Sequence, residues 1–273
     1  MDEQKIKAIA LQMRKSILEM SYNCNLSAHL GGGLSMVEIN AVLFGQVMRL
    51  DRTNPHWTNR DRYILSKGHG VLGYFSALNA VGLISDEVLS TFQCNGSDLI
   101  AHPVMNMDLG IESSNGSLGH GLSMAIGVAL AAKRKSLGYR VYVLLGDGEC
   151  NEGSVWEAMM MAAQYRLDNL TAVVDMNGYQ SDGSSEQVMN LNNLADRWRQ
   201  FGWWVDELDG HDIPALYNAF CHQEHHGMPH VVIAHTIKGK GISFMEGNND
   251  WHHARLTKNW YDQALNELNG IAS

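Results

Sequence analysis

Five short apolar runs recur along the chain: RYILS (62–66), RVYVLL (140–145), LTAVVD (170–175), WWVDEL (203–208) and HVVIAHT (230–236). Each is rich in β-branched or aromatic residues and short enough to be a strand buried on both faces. Helix-patterned stretches separate them, among them GLSMAIGVALAAKRK, SVWEAMMMAAQYR, LNNLADRWRQF and IPALYNAFCHQ. Strands that alternate with helices cross over rather than form hairpins. The pattern therefore predicts an α/β fold, a doubly wound and mostly parallel sheet with helices on both faces.

The 273 residues, 45% of them hydrophobic, can bury a large core. No repeat, low-complexity tract or linker divides them, so the chain reads as a single domain over 1–273. An irregular glycine-rich stretch runs from about Asp98 to Gly121. Ile6, Ile9, Ala10, Met13 and Ile17 recur at helical spacing and predict an amphipathic first helix. Ser35 with Glu38, and Ser154 with Glu157, have the spacing of capping boxes. A net charge of −9 without a Lys/Arg cluster argues against a nucleic-acid partner. Cys24, Cys94, Cys150 and Cys221 are scattered, so no disulfide framework or zinc ribbon is expected. The charged N-terminus lacks a signal-peptide core, and no run approaches a membrane span. A cytoplasmic location is expected.

The stretch GDGECNEG (146–153) follows RVYVLL directly. In open α/β sheets ligands bind beyond the carboxyl ends of strands. Gly146 and Gly148 let the backbone approach a bulky anion, Asp147 supplies a hard oxygen, and the following helix points its amides at negative charge. About thirty residues on, the next strand ends in VVDMNGYQSDG, which brings Asn177 beside Asp147 if the two strands are neighbours. Asp147, the Asn177 amide and a carbonyl such as that of Tyr179, with two diphosphate oxygens and a water, would complete the octahedron that magnesium prefers.

Together, GDGECNEG and DMNGYQSDG resemble the thiamine diphosphate motif, and the likeness to transketolases extends over nearly the whole chain. SAHLGGGLSMVEI, LSKGHG, IAHP, GIESSNGSLGHGLSMAIGVA and KGKGISFMEGNNDWHH resemble the histidine and glycine loops of that family. The resemblance implies thiamine diphosphate and Mg2+ (or Ca2+ or Mn2+) as cofactors. Asp147, Asn177 and the Tyr179 carbonyl would hold the metal, while Gly148, Gly116, Ser117, Leu118 and His69 would line the cofactor. His29, His102 and His252 would face the sugar, with His29 and His252 moving protons, His102 gripping a terminal hydroxyl, and His252 also beside the cofactor. Glu152 would sit at the subunit contact, in a carboxylate network joining two active sites. Full transketolases continue into pyrimidine-binding and C-terminal domains, which are expected here on a separate chain. The resemblance thus implies the N-terminal subunit of a split enzyme, two copies with two of a partner chain, that transfers a two-carbon ketol unit from a ketose phosphate, or a related sugar, to an aldose.

Other readings remain at this point. GHGVLG (68–73) spells GxGxxG with Asp86 downstream, as in nicotinamide dehydrogenases, although that acid should end a second strand and Asp86 instead opens a Ser85-capped helix. The α subunit of 2-oxo-acid dehydrogenases carries a similar GDG and Asn pair, and a non-catalytic binding subunit is a third class. HQEHH (222–226) reads as a solvated turn rather than a metal site. The methionines of EAMMMAAQ read as core or subunit packing, and Trp203 and Trp204 as sheet packing.

Overall fold

The computed structural model describes residues 1–221 and 227–270. Five strands, β1 (Arg62–Leu65), β2 (Val141–Gly146), β3 (Leu170–Met176), β4 (Trp204–Asp209) and β5 (His230–His235), form one sheet in the order β1-β2-β3-β5-β4. Every pairing is parallel, as the alternation of strands and helices requires. All five predicted strands are present, each within about a residue of the apolar run that announced it.

The helices are α1 (Glu3–Asn23), α2 (Leu30–Leu34), α3 (Val37–Val42), α4 (Val71–Ala80), α5 (Asp86–Leu89), α6 (Gly121–Arg134), α7 (Gly153–Gln164), α8 (Ser185–Met189), α9 (Leu194–Gln200), α10 (Ile213–Cys221) and α11 (Lys258–Leu268). Alternation along the strands divides the core in two. Tyr63, Leu65, Tyr142, Leu144, Val173 and Val232 face a cluster built with α1, α3, α4 and α10. Ile64, Val143, Leu145, Ala172, Val174 and Ile233 face the other, with α6, α7 and α9. Both faces are covered, which is why the central strands read as unbroken apolar runs. Leu30–Val47 has the length and apolarity of a membrane span, yet 83% of it is buried inside the fold, where it forms core.

α1 starts on Asp2, whose carboxylate accepts from the Lys5 amide at 3.1 Å. Ser85 caps α5 as its sequence position indicates. The stretch from Asp98 to Gly121 is irregular apart from a 3-10 turn at Met107–Leu109.

Both capping boxes are corrected by tertiary contacts. Ser35 ends α2 and donates its hydroxyl to Asp175 at 2.6 Å, while Glu38 pairs with Arg14 at 2.7 Å and His211 at 2.9 Å. Ser154 lies inside α7, whose cap position is Glu152, and donates to the Gly119 carbonyl at 2.9 Å. In each case the hydroxyl donates to an acceptor far along the chain instead of accepting from the local amide that a cap would use. Trp203 is buried against Trp198, but Trp204, on edge strand β4, is 41% exposed. Met159 is core, whereas Met160 and Met161 face outward. The HQEHH stretch lies outside the described residues.

Leu144, fully buried in the interior strand β2, tests this division of the core. Leu144→Ala is expected to lower unfolding free energy by about 2–5 kcal/mol, read from urea denaturation, without abolishing the fold.

Candidate active site

The parallel sheet brings every strand end of interest to one edge. The register Gly146↔Asp175 puts Asp147 and Asn177, one and two residues further on, side by side. Asp147 is 7% exposed and accepts from the Gly178 amide at 3.1 Å and the Ser185 hydroxyl at 2.7 Å. Burial pushes its carboxyl above the usual range, and the nearby Asp175 charge adds to this. A cation would relieve both effects. Asn177 donates to Asp175 at 3.2 Å and accepts from the Tyr179 amide at 3.1 Å, which fixes the side chain at the strand end. The bridge between Tyr179 and Ser184 runs its hydrogen bonds through Gly178, Gln180, Gly183 and Ser185, so the Tyr179 carbonyl stays outside the ladder.

One carboxylate, one amide and one carbonyl make a set of hard oxygens suited to a magnesium-like ion. Among the described residues no group of three or more His, Cys, Asp or Glu side chains could hold a metal ion. A cation at Asp147 would therefore need oxygens from a ligand, as a metal-bound diphosphate supplies.

Beside this corner the glycine segment folds over the strand ends. Gly119 has φ +82°, and its amide donates to Glu149 at 2.8 Å. Glu149 is buried, also accepts from Ser66 at 2.5 Å and the Gly146 amide at 3.1 Å, and is pushed up by burial. Gly116 and Ser117 are exposed toward the open edge, with Leu118 half-buried. Gly116 lies against His102, whose ring would be 3.5 Å from an added Cβ. Gly148 lies against Gln180 in the same way. Glu152 is exposed at the start of α7, next to Gly119.

His29 stands at the centre of the imidazoles. Its ring centroid is 5.3 Å from His69, 6.1 Å from His102, 5.4 Å from His252 and 4.4 Å from His253. An isolated antiparallel bridge, Ala28↔Ala254, clamps the two loops that carry His29 and the His252–His253 pair. Burial and the neighbouring imidazoles pull His29 down to about 3. Burial, then Lys238, pulls His252 down to about 4. His69 lies well below its ordinary value and His102 below it, burial being the first cause in each. At neutral pH these rings are therefore uncharged, and each offers one donor and one acceptor nitrogen.

Lys238 was not singled out by the sequence. Its ammonium contacts Asn249 at 2.6 Å and His252 Nδ1 at 2.8 Å and lies over the Tyr179 ring. Burial, then Lys67, lowers it to about 8, which leaves it mostly charged at neutral pH. An ammonium donating to Nδ1 leaves the ring proton on Nε2, so His252 presents a donor on its other nitrogen. Below lies a second unforeseen pair, Lys67 and Asp175, in direct contact and 1% and 0% exposed. Lys67 also donates to the Gly32 carbonyl at 2.8 Å, while Ser35 and Thr236 donate to Asp175. Burial raises the Asp175 carboxyl, and Lys67 with the two hydroxyls pulls it below its usual range.

The family described as "Transketolase, thiamine diphosphate binding domain" matches residues 9–269. The chain belongs to the transketolase family. It corresponds to that family's N-terminal subunit. One subunit of the apulose-4-phosphate transketolase of Phocaeicola vulgatus is 43% identical over 256 residues, 93% of this chain and 90% of that one. The 6-deoxy-6-sulfo-D-fructose transketolase subunit SqwG of a Clostridium species is 41% identical, over 88% of each chain. Human transketolase is 36% identical over 98% of this chain, which spans 43% of its length. Transketolase from Campylobacter jejuni superposes with a TM-score of 0.89 at 29% identity, over 98% of this chain and 43% of that one. The transketolase fold also disposes of the dehydrogenase reading. Asp86 opens α5 and accepts from Asn79 at 2.8 Å, far in sequence from any second strand end.

Lys67, Glu149, Asp175 and His253 escaped sequence reasoning although LSKGHG, GDGECNEG, DMNG and DWHH were all in view. Only Lys67 and Asp175 carried a usable signal, since each lies at or near the end of a buried strand. Lys67→Met, which strands a buried carboxylate, is expected to cost about 3–5 kcal/mol in chemical denaturation. Lys67→Met with Asp175→Leu should recover most of that loss. A double variant no better than the single one would show that the pair does not act as a unit.

Proposed function

We propose that this transketolase subunit, with a separate chain bearing the pyrimidine-binding and C-terminal domains, transfers a two-carbon ketol unit from a ketose, typically a phosphate, to an aldose. The convergence of the Asp147, Asn177 and Tyr179 oxygens with four neutral imidazoles at one sheet edge carries this reading. When bound, thiamine diphosphate supplies the electron sink that cleavage beside a ketone requires. Asp147, Asn177 and the Tyr179 carbonyl would hold Mg2+, or Ca2+ or Mn2+ in its place. Gly148, Gly116, Ser117, Leu118, His69 and His252 would line the cofactor.

His29, uncharged, has an acceptor nitrogen for the proton that a donor hydroxyl loses. His252, with its proton held on Nε2 by Lys238, can donate to the acceptor's developing alkoxide. His102, at the outer wall beside Gly116, would bind the donor's terminal hydroxyl. Closing the site with a second chain would exclude water and strengthen each of these contacts. Relatives that match this chain along most of their length are named as single subunits of a transketolase, which supports a partner. Exposed Glu152 suits the contact between two copies of each chain. Scattered free cysteines suit a cytoplasmic setting.

The test is reconstitution with the partner chain. Asp147→Ala should weaken magnesium-dependent retention of thiamine diphosphate on the order of 100-fold by calorimetry. His102→Ala should lower turnover with the cofactor still bound. Undiminished retention in Asp147→Ala would refute the metal assignment, and ketol transfer by this chain alone would refute the two-chain reading.

A further inference from the structure

A fifth imidazole, His253, has no role in the mechanism above. Two backbone hydrogen bonds, of 3.0 and 3.1 Å, join Ala28 and Ala254 in an antiparallel bridge. In such a pairing the residue after one partner stands opposite the residue before the other, so His29 faces His253. Their ring centroids lie 4.4 Å apart at 40°, closer than His29 lies to His69, His102 or His252. His29 is half-buried and His253 exposed, so the imidazole row runs outward from His69 through His29 to His253.

The strand ends that carry Asp147 and His69 mark the inner end of this row. A ketose whose carbonyl carbon reaches the inner rings, and whose remaining hydroxyl-bearing carbons run outward along this row, would pass His253. We propose that His253 is a specificity-determining residue that hydrogen-bonds the hydroxyls of the donor's carbon chain beyond the bond that is cleaved. The proposal rests on the ketol-transfer reading of the same site. An imidazole pairs well with a sugar hydroxyl, because each has both a donor and an acceptor. Tilted contact with His29 orients the ring in advance and reduces the entropy lost on binding. His253 thereby selects for a polyhydroxylated tail from this chain's side of the pocket, whatever the partner contributes.

The competing explanation is that His253 only braces His29, and a pair of donors separates the two. Hydroxypyruvate delivers the same two-carbon unit with release of carbon dioxide and has no chain beyond the broken bond. The second donor is the ketose that the complex turns over best among fructose 6-phosphate, xylulose 5-phosphate, sedoheptulose 7-phosphate, apulose 4-phosphate and 6-deoxy-6-sulfofructose. Both are assayed with one aldose acceptor in the reconstituted complex, with bound thiamine diphosphate quantified for each variant. His253→Ala is expected to lower kcat/KM for the ketose relative to hydroxypyruvate by about tenfold or more, mainly through KM, the loss of one hydrogen bond. His253→Gln should restore part of the ratio. A ratio that changes less than fivefold in His253→Ala overturns the proposal, because bracing of His29 would affect both donors alike. Turnover of hydroxypyruvate but of no ketose by the unsubstituted complex also overturns it. Turnover of no donor by the unsubstituted complex instead refutes the ketol-transfer reading itself.

Discussion

The Lys67–Asp175 pair holds the active-site edge together. Lys67 follows β1 and Asp175 lies in β3, so their contact spans β2 and fixes the strand ends on either side of the GDG turn. The same two side chains reach the Gly32 carbonyl in α2, Ser35 at its end and Thr236 after β5. Four segments that carry or adjoin site residues thus meet on one buried ion pair. Desolvating two charges is costly, and only good geometry with further hydrogen bonds offsets it. Both conditions are met here, so the pair specifies one arrangement of the edge more than it adds stability.

Above this pair the site is built by close approach. An added Cβ at Gly73 would lie 2.6 Å from the Gly33 carbonyl, so α4 and α2 can touch only with glycine there. That contact seats α2, and with it the loop that presents His29. Gly119, in left-handed backbone, turns its amide onto Glu149 and lets the glycine segment lie over the strand ends. The imidazoles then sit in a partly desolvated space next to the Lys238 ammonium, which keeps them neutral. Neutral rings can both accept and donate at physiological pH, which proton transfer during ketose cleavage requires.

Much of this was legible in sequence, and the limits have physical causes. The five strands were visible because a sheet buried on both faces leaves runs with no polar alternation. The neighbouring positions of Asp147 and Asn177 followed once β2 and β3 were adjacent. The capping boxes misled because Ser35 and Ser154 fit a local motif, yet their hydroxyls were taken by Asp175 and Gly119 across the fold. Trp204 misled because an aromatic in a strand reads as buried, whereas edge position in a sheet is a property of strand order.

By itself the sequence determined the α/β class, the five strands, the GDG corner with its oxygen donors, and the histidine loops from which the transketolase family could be read. Those features depend on local periodicity and on motifs contained in single segments. Only the tertiary structure decided that Lys67 and Asp175 neutralise each other, that Lys238 sets the tautomer of His252, and that His253 packs against His29. Those partners are separated by between 14 and 224 residues, and nothing in the local pattern selects one among many possible contacts. Their selection comes from strand register, from the Ala28–Ala254 bridge and from the exclusion of water around buried charge.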